Sequence, residues 1–336
     1  MTDFAVETRD LVRTFKDGDV RALDGVTLRV PRGQVFGLLG PNGSGKTTMI
    51  RILSTILTPT SGSATVNGVD VEGDPQRVRE NIGLAGQFAT VDENLTGFEN
   101  LRMVGRLNHL DKARATSRSR ELLAEFGLAD AANRSAKTYS GGMRRRLDLA
   151  AALVADPPIL FLDEPTTGLD PQSRQDLWGI IEGLTQRGVT VLLTTQYLEE
   201  ADRLARQLVV LDHGRIIAEG TSQELKARLG TTVLELRLGS TDDAASARGL
   251  LEGLSAAFSN VEGTVIELTV NDGPAVAAEA LRRLDGAGLA ISGLALREPS
   301  LDDVFLSLTG HRAEDAPISE PAGRGRGRGR IKMEEV

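Results

Sequence analysis

The segment Gly40-Pro41-Asn42-Gly43-Ser44-Gly45-Lys46-Thr47 constrains this chain more than any other. It fits G-x-x-x-x-G-K-[ST], directly after the apolar run VFGLL and before the helical stretch TMIRILSTIL. Glycines let successive backbone N–H groups converge on phosphate oxygens, and the helix that follows adds the positive end of its dipole. Lys46 is expected to reach the β- and γ-phosphates, and the Thr47 hydroxyl to bind Mg²⁺. A chance glycine-rich turn is the bland alternative. An eight-residue match between a strand and a helix argues against it.

The rest of the chain suits that cradle. Up to about Ser222, short β-rich runs alternate with helical stretches, which is the pattern of an α/β fold around a mainly parallel sheet. Val35–Leu39, Ile159–Leu162, Val189–Thr195 and Leu208–Leu211 are continuous apolar runs, as expected for strands covered on both faces. Ala5–Thr8 and Leu23–Val30 read as an antiparallel flap beside that sheet. From Asn94 to Asn133 the chain turns mostly helical, with Glu99–Asn108 and Ala113–Phe126 carrying apolar residues at helical spacing. After Gly230 the pattern restarts. Strands are expected at Val233–Leu238, Thr264–Val270 and Leu289–Arg297, and helices at Asp242–Phe258, Pro274–Leu284 and Leu301–Leu308. The expected divisions are 1–225 with a helical lobe at about 94–150, a small α+β domain at 230–310, and a tail at 311–336. That tail is low in complexity and cannot bury a core, so disorder is expected there.

Composition removes several function classes. With no cysteine there is no disulfide framework, thiolate zinc site or iron–sulfur cluster. His109, His213 and His311 are scattered. No run approaches the length of a membrane span, and MTDFAVETRD lacks the apolar core of a signal peptide. A formal charge of −8 argues against a dedicated nucleic-acid binder. The expectation is a soluble, cytoplasmic protein.

Two further segments carry chemistry. In ILFLDEP an apolar strand ends in Asp163, positioned to hold Mg²⁺ through water, and Glu164, the best candidate to polarise an attacking water. Solvated carboxylates at a strand end are the plain alternative. In Tyr139-Ser140-Gly141-Gly142-Met143 a hydroxyl and backbone donors open a helix, which makes a second anion site on a chain that already has one. That is sensible if it caps the nucleotide of another subunit. The same residues also suit an ordinary N-cap, in which Ser140 satisfies only its own first turn.

In order and spacing, GPNGSGKTT, Gln87 in IGLAGQ, YSGGM, ILFLDEP and the Gly168-Leu169-Asp170 turn resemble the ATP-binding subunits of ABC transporters over roughly residues 4–222. The resemblance implies a P-loop NTPase fold of ABC type and ATP with Mg²⁺ at the site. It also implies a head-to-tail homodimer, each ATP lying between one phosphate loop (Gly40 to Thr48) and the opposite Ser140-Gly141-Gly142. By the same resemblance Gln87 senses Mg²⁺ and the γ-phosphate, and Asp170 couples the two sites. Phe15 stacks on adenine, a core position being its other reading. RRRLDLAAAL, TTQYLEEAD and LREPSLDDVFLSLTG are similar to the ATPase subunits of daunorubicin-resistance-type drug exporters. In that group the membrane permease is a separate polypeptide, the ATPase is peripheral on the cytoplasmic face of the cell membrane, and the small domain serves assembly or stability.

Two positions depart from the common pattern. Met143 stands where the signature usually has glutamine, with a mild expected effect. Gln196 stands where histidine is usual after VTVLLTT; it can donate an amide N–H to a γ-phosphate but cannot become cationic. Hydrolysis with Glu164 as the base is still expected. The alternatives are a soluble ABC-type ATPase outside transport and a nucleotide-dependent regulator without turnover; Glu164 argues against the second. The repeat from Arg324 to Arg330 suits a solvated tail better than an RNA or headgroup site.

Overall fold

The computed structural model describes residues 3–15, 18, 20–86, 91–229, 232–255 and 259–309. The chain begins with a long antiparallel hairpin, β1 (Phe4–Phe15) and β2 (Val20–Pro31), and then enters β3 (Val35–Leu39). The phosphate-loop segment leads into α1 (Lys46–Leu53), followed by β4 (Ser61–Val66), β5 (Val69–Asp70), α2 (Pro75–Glu80) and β6 (Ile82–Ala85). Next come α3 (Gly97–Leu107), α4 (Lys112–Glu125) and α5 (Gly141–Ala152). The chain then alternates through β7 (Ile159–Asp163), α6 (Pro171–Gln186), β8 (Thr190–Thr195), α7 (Leu198–Leu204) and β9 (Gln207–Asp212). β10 (Arg215–Gly220) and α8 (Ser222–Ala227) close this part.

The central sheet runs β10-β9-β3-β8-β7-β6, parallel except for the β10 edge, and the flap is a separate antiparallel sheet, β2-β1-β4-β5. Alternation along each central strand divides the apolar residues between two cores. Phe36, Leu38, Phe161 and Leu192 pack toward α1 and the flap. Leu39, Leu160, Leu162 and Leu193 pack toward α5, α6 and the helical segment. Hence these strands read as unbroken apolar runs: neither face is wet. Thr96 caps α3 reciprocally with Glu99, which gives the helical segment a sharp start.

The remaining residues form β11 (Thr232–Leu238), α9 (Thr241–Leu250), β12 (Ser259–Glu262), β13 (Val265–Val270), α10 (Gly273–Gly286), β14 (Ile291–Arg297) and α11 (Leu301–Thr309). Their sheet order is β12-β13-β11-β14, antiparallel throughout, with α9 and α10 covering Leu234, Leu236 and Leu238. The expected helix Asp242–Phe258 stops early, at Leu250. Gly253 takes a left-handed φ of 83° in the turn beyond, and Ser259–Glu262 is a strand that the sequence reading did not include. The last helix also holds a surprise. Leu301, Val304 and Phe305 of α11 join the core of the first part of the chain, against α7 and α8. Arg297 fastens its start with a two-pronged ion pair to Asp303, at 2.6 and 2.9 Å, while also reaching Glu267 at 2.9 Å. Residues 311–336 lie outside the described residues.

Candidate functional site

The site lies at the carboxyl ends of β3, β8 and β7, three neighbours in the parallel sheet. Residues 40–45 turn tightly enough that two glycines are obligatory. A Cβ on Gly40 would sit 2.2 Å from the Leu211 carbonyl oxygen, and one on Gly45, whose φ is +113°, would sit 2.4 Å from that of Ala22. Gly43 is also left-handed. Asn42 and Gly43 form the exposed tip, whereas Pro41 and Ser44 are buried, and Thr47 and Thr48 lie half-buried in the first turn of α1. The Ser44 hydroxyl is buried without a hydrogen-bond partner among the described residues.

Lys46 is buried and bends back over the loop, its Nζ donating to the carbonyls of Gly40 at 2.7 Å and Pro41 at 3.0 Å. It also lies 3.5 Å from Glu164 Oε1. Burial pushes the Lys46 ammonium below its usual range, and the charges of Glu164 and Asp163 oppose that shift. Asp163 Oδ1 accepts from the Thr47 hydroxyl at 3.3 Å and the Thr194 hydroxyl at 2.6 Å. Glu164 adopts a left-handed φ of +50°, an uncommon conformation for a residue with a side chain. Its N–H donates to the Thr194 carbonyl and hydroxyl, both at 3.1 Å. One threonine on β8 therefore fixes both carboxylate residues.

An orphaned buried hydroxyl, a buried ammonium, a glycine cradle and a helix N-terminus suit a nucleotide phosphate chain. Oxygen donors from Thr47 and Asp163, brought to one point, suit a hard divalent cation.

The second glycine-rich turn behaves differently. Ser140 is exposed, and its hydroxyl accepts the Met143 N–H at 3.2 Å, capping its own helix as the plain alternative had it. None of the described hydrogen bonds or ion pairs joins residues 140–142 to the phosphate loop. Gly142 instead packs against the start of α6: a Cβ there would meet Ser173 Oγ at 2.4 Å. That same hydroxyl donates to Asp170 Oδ2 at 2.7 Å, and the Ser173 N–H donates to Oδ1 at 2.9 Å. These bonds, the backbone N–H first, hold the exposed Asp170 carboxyl below the usual range. Met143 is half-buried against the helical core.

Phe15 ends β1 half-buried, with the Arg13 guanidinium 4.7 Å from its ring centre. Gln196 is half-buried in the bend after β8. Gln87 lies outside the described residues.

Sequence reasoning missed two side chains at this site. Thr194 was read only as part of a strand. Arg145 stands in RRRLDLAAAL without a role of its own in the sequence reading, yet it is buried and its guanidinium donates to the carbonyls of Gly86, Asp163, Glu164 and Pro165. The available signal was Asp148, a carboxylate inside the otherwise apolar LDLAAAL and 3.5 Å from Arg145.

Comparison with known proteins places this geometry. Residues 23–167 match the ABC transporter family, and residues 220–309 match the C-terminal domain of DrrA1-3-like ATP-binding proteins. The chain is 50% identical to the daunorubicin/doxorubicin resistance ATP-binding protein DrrA of Streptomyces peucetius, over 95% of this chain and 96% of that protein. It is 40% identical to the Nod factor export ATP-binding protein I of Cupriavidus pinatubonensis, covering 89% of each. A dimeric ATP-binding cassette in a post-hydrolysis state, bound to ADP and Pi, superposes with a TM-score of 0.59 at 26% identity, over 64% of this chain and 98% of that one. The chain is an ABC-type ATPase subunit that binds nucleotide. It belongs to the ABC transporter family, in the group of DrrA-like ATP-binding proteins.

Proposed function

We propose that this chain hydrolyses ATP as the motor subunit of an exporter for a drug or antibiotic-like compound. The reading is carried by one juxtaposition: the Asp163-Glu164 turn lies against the phosphate loop, with Lys46 Nζ 3.5 Å from Glu164 and Thr47 Oγ1 3.3 Å from Asp163. Relatives named for drug resistance and for Nod factor export support transport over a soluble ATPase of another kind.

Backbone N–H groups of Gly43 to Thr48 and the Lys46 ammonium bind and orient the phosphates. Phe15 stacks on the adenine. Thr47 and Asp163, with Gln87, would hold Mg²⁺, which would supply charge neutralisation for the phosphates. Glu164 accepts the proton of the attacking water, and Gln196 donates an amide N–H to the γ-phosphate. Ser140, Gly141 and Gly142 face the nucleotide of a second copy in a head-to-tail homodimer, and Asp170 joins the two sites. Export is coupled to a separate integral-membrane permease, as the names of the export and drug-resistance ATP-binding relatives suit; among the described residues no helix is long and apolar enough to cross a membrane. The subunit would sit peripherally on the cytoplasmic membrane face. In this reading 1–225 is the ATPase domain with its lobe at 94–150, 230–310 is an accessory domain for assembly, and 311–336 is a tail without a catalytic role.

The test is Glu164→Gln in the full chain. Turnover should fall by about 10²-fold or more while nucleotide affinity stays within a few-fold of the parent. A variant as fast as the parent would remove Glu164 from the mechanism.

A further inference from the structure

The Glu164 turn is held from two sides. On its N–H side stands Thr194, in the rigid central sheet. On its carbonyl side stands Arg145, and Arg145 belongs to α5, the helix that Ser140 opens. Its Nε donates to Pro165 O at 2.6 Å, and its Nη2 to Asp163 O and Glu164 O at 3.3 and 3.2 Å. Its Nη1 turns the other way, to the carbonyl of Gly86, the residue before Gln87. Asp148, one turn along the same helix, is only 1% exposed and supplies a counter-charge at 3.5 Å. A planar guanidinium can grip two segments at once because its donors are fixed in a fork; an ammonium offers its donors from a single point.

We propose that Arg145 is a positioning residue that ties the attitude of the Ser140 helix to the aim of the Glu164 carboxylate. This rests on the reading of Glu164 as the base and of Ser140–Gly142 as the face toward a second nucleotide. Glu164 holds a left-handed backbone only while both sides of its turn are pinned, and one set of pins moves with α5. When α5 shifts to meet the partner's nucleotide, the carbonyls of Asp163, Glu164 and Pro165 follow. The approach to Gln87 follows with them through Gly86. One subunit's base is thereby aligned by what its signature turn touches, which makes turnover, rather than binding, depend on the closed dimer.

The test compares the parent, Glu164→Gln, Arg145→Gln and Arg145→Lys as full chains. It measures turnover against ATP concentration, nucleotide affinity with a fluorescent ATP analogue, and thermal melting. Both Arg145 variants should lose about ten- to a hundred-fold in kcat, with KM and nucleotide affinity within about three-fold of the parent. Arg145→Lys should not restore the rate. An Arg145→Gln or Arg145→Lys protein turning over at the parental rate overturns the proposal. So does loss of nucleotide binding in step with turnover, which would make Arg145 a prop of the fold alone. If Glu164→Gln is itself as fast as the parent, the fault lies in the reading of Glu164.

Discussion

The chain has two glycine-rich turns that open helices, and they are built to opposite specifications. The phosphate loop is closed in: Lys46 and Ser44 are buried, and the walls around Gly40 and Gly45 leave no space for a methyl group. The Ser140-Gly141-Gly142 turn is open. Ser140 is exposed and occupied with its own helix, and a Cβ on Gly141 would have nothing within 4 Å. The first turn is complete within one chain. The second is shaped on one side only, and in the proposed head-to-tail dimer a second copy of the chain supplies its other wall.

Alanine at each turn breaks or sharpens this contrast. Gly40→Ala drives a methyl group into the Leu211 carbonyl, and overpacking of that kind costs about 3 kcal/mol. For a chain of 336 residues that is a loss of roughly 4 °C in melting temperature, read by calorimetry. Gly141→Ala should melt with the parent, to within about 1 °C, yet lose at least about ten-fold in ATP turnover if, as proposed, its methyl group meets the second subunit. If Gly141→Ala is fully active, the open turn has no partner.

A similar contrast separates two buried carboxylates of the helices, Asp303 and Glu200. Asp303 fastens α11 through Arg297, so Asp303→Asn should cost about 2 kcal/mol, discounted for an Arg297 side chain that is one-third exposed. Burial alone would raise the Asp303 carboxyl; its bonds from Arg297 and Ser300 outweigh burial and hold it below the usual 3.8. Its contribution is therefore present above the unfolded value and is lost as pH falls through the lowered folded value. Melting of Asp303→Asn and parent should converge on acidification. Glu200 runs the other way. It is fully buried and receives the Trp178 indole N–H at 3.1 Å. Burial raises it above 4.5, opposed most by the neighbouring Thr195 and Trp178. Its contribution is full below the unfolded value and fades as pH rises through the raised folded value. The smallest effect expected is thus a drift: the melting temperature of Glu200→Gln relative to the parent should climb as pH increases. A difference that is flat with pH would show Glu200 to be unshifted.

Backbone chemistry was the most legible part of the sequence. Gly40 to Thr47 and the run ending in Asp163 announce themselves because glycine, lysine and an apolar strand have few other uses in that order. What stayed hidden came from side chains that act across the fold. Thr194 looks like any strand threonine until β8 is set between β3 and β7. Arg145 looks like surface charge until α5 is laid against the Pro165 carbonyl. The helix expected at Asp242–Phe258 was overread for a simpler reason: apolar spacing continued past Leu250 while Gly253 had already turned the chain.

The seating of α11 also has a consequence for synthesis. A nascent chain that has emerged only as far as Ala227 contains every strand of the central sheet, yet it lacks Leu301, Val304 and Phe305. A greasy seat on α7 and α8 then faces water until about 80 more residues have left the ribosome and the distant helix folds back. Helix α11 is thus a latch on the first part to be made, and the nucleotide-binding part matures only once the message has been read past Thr309.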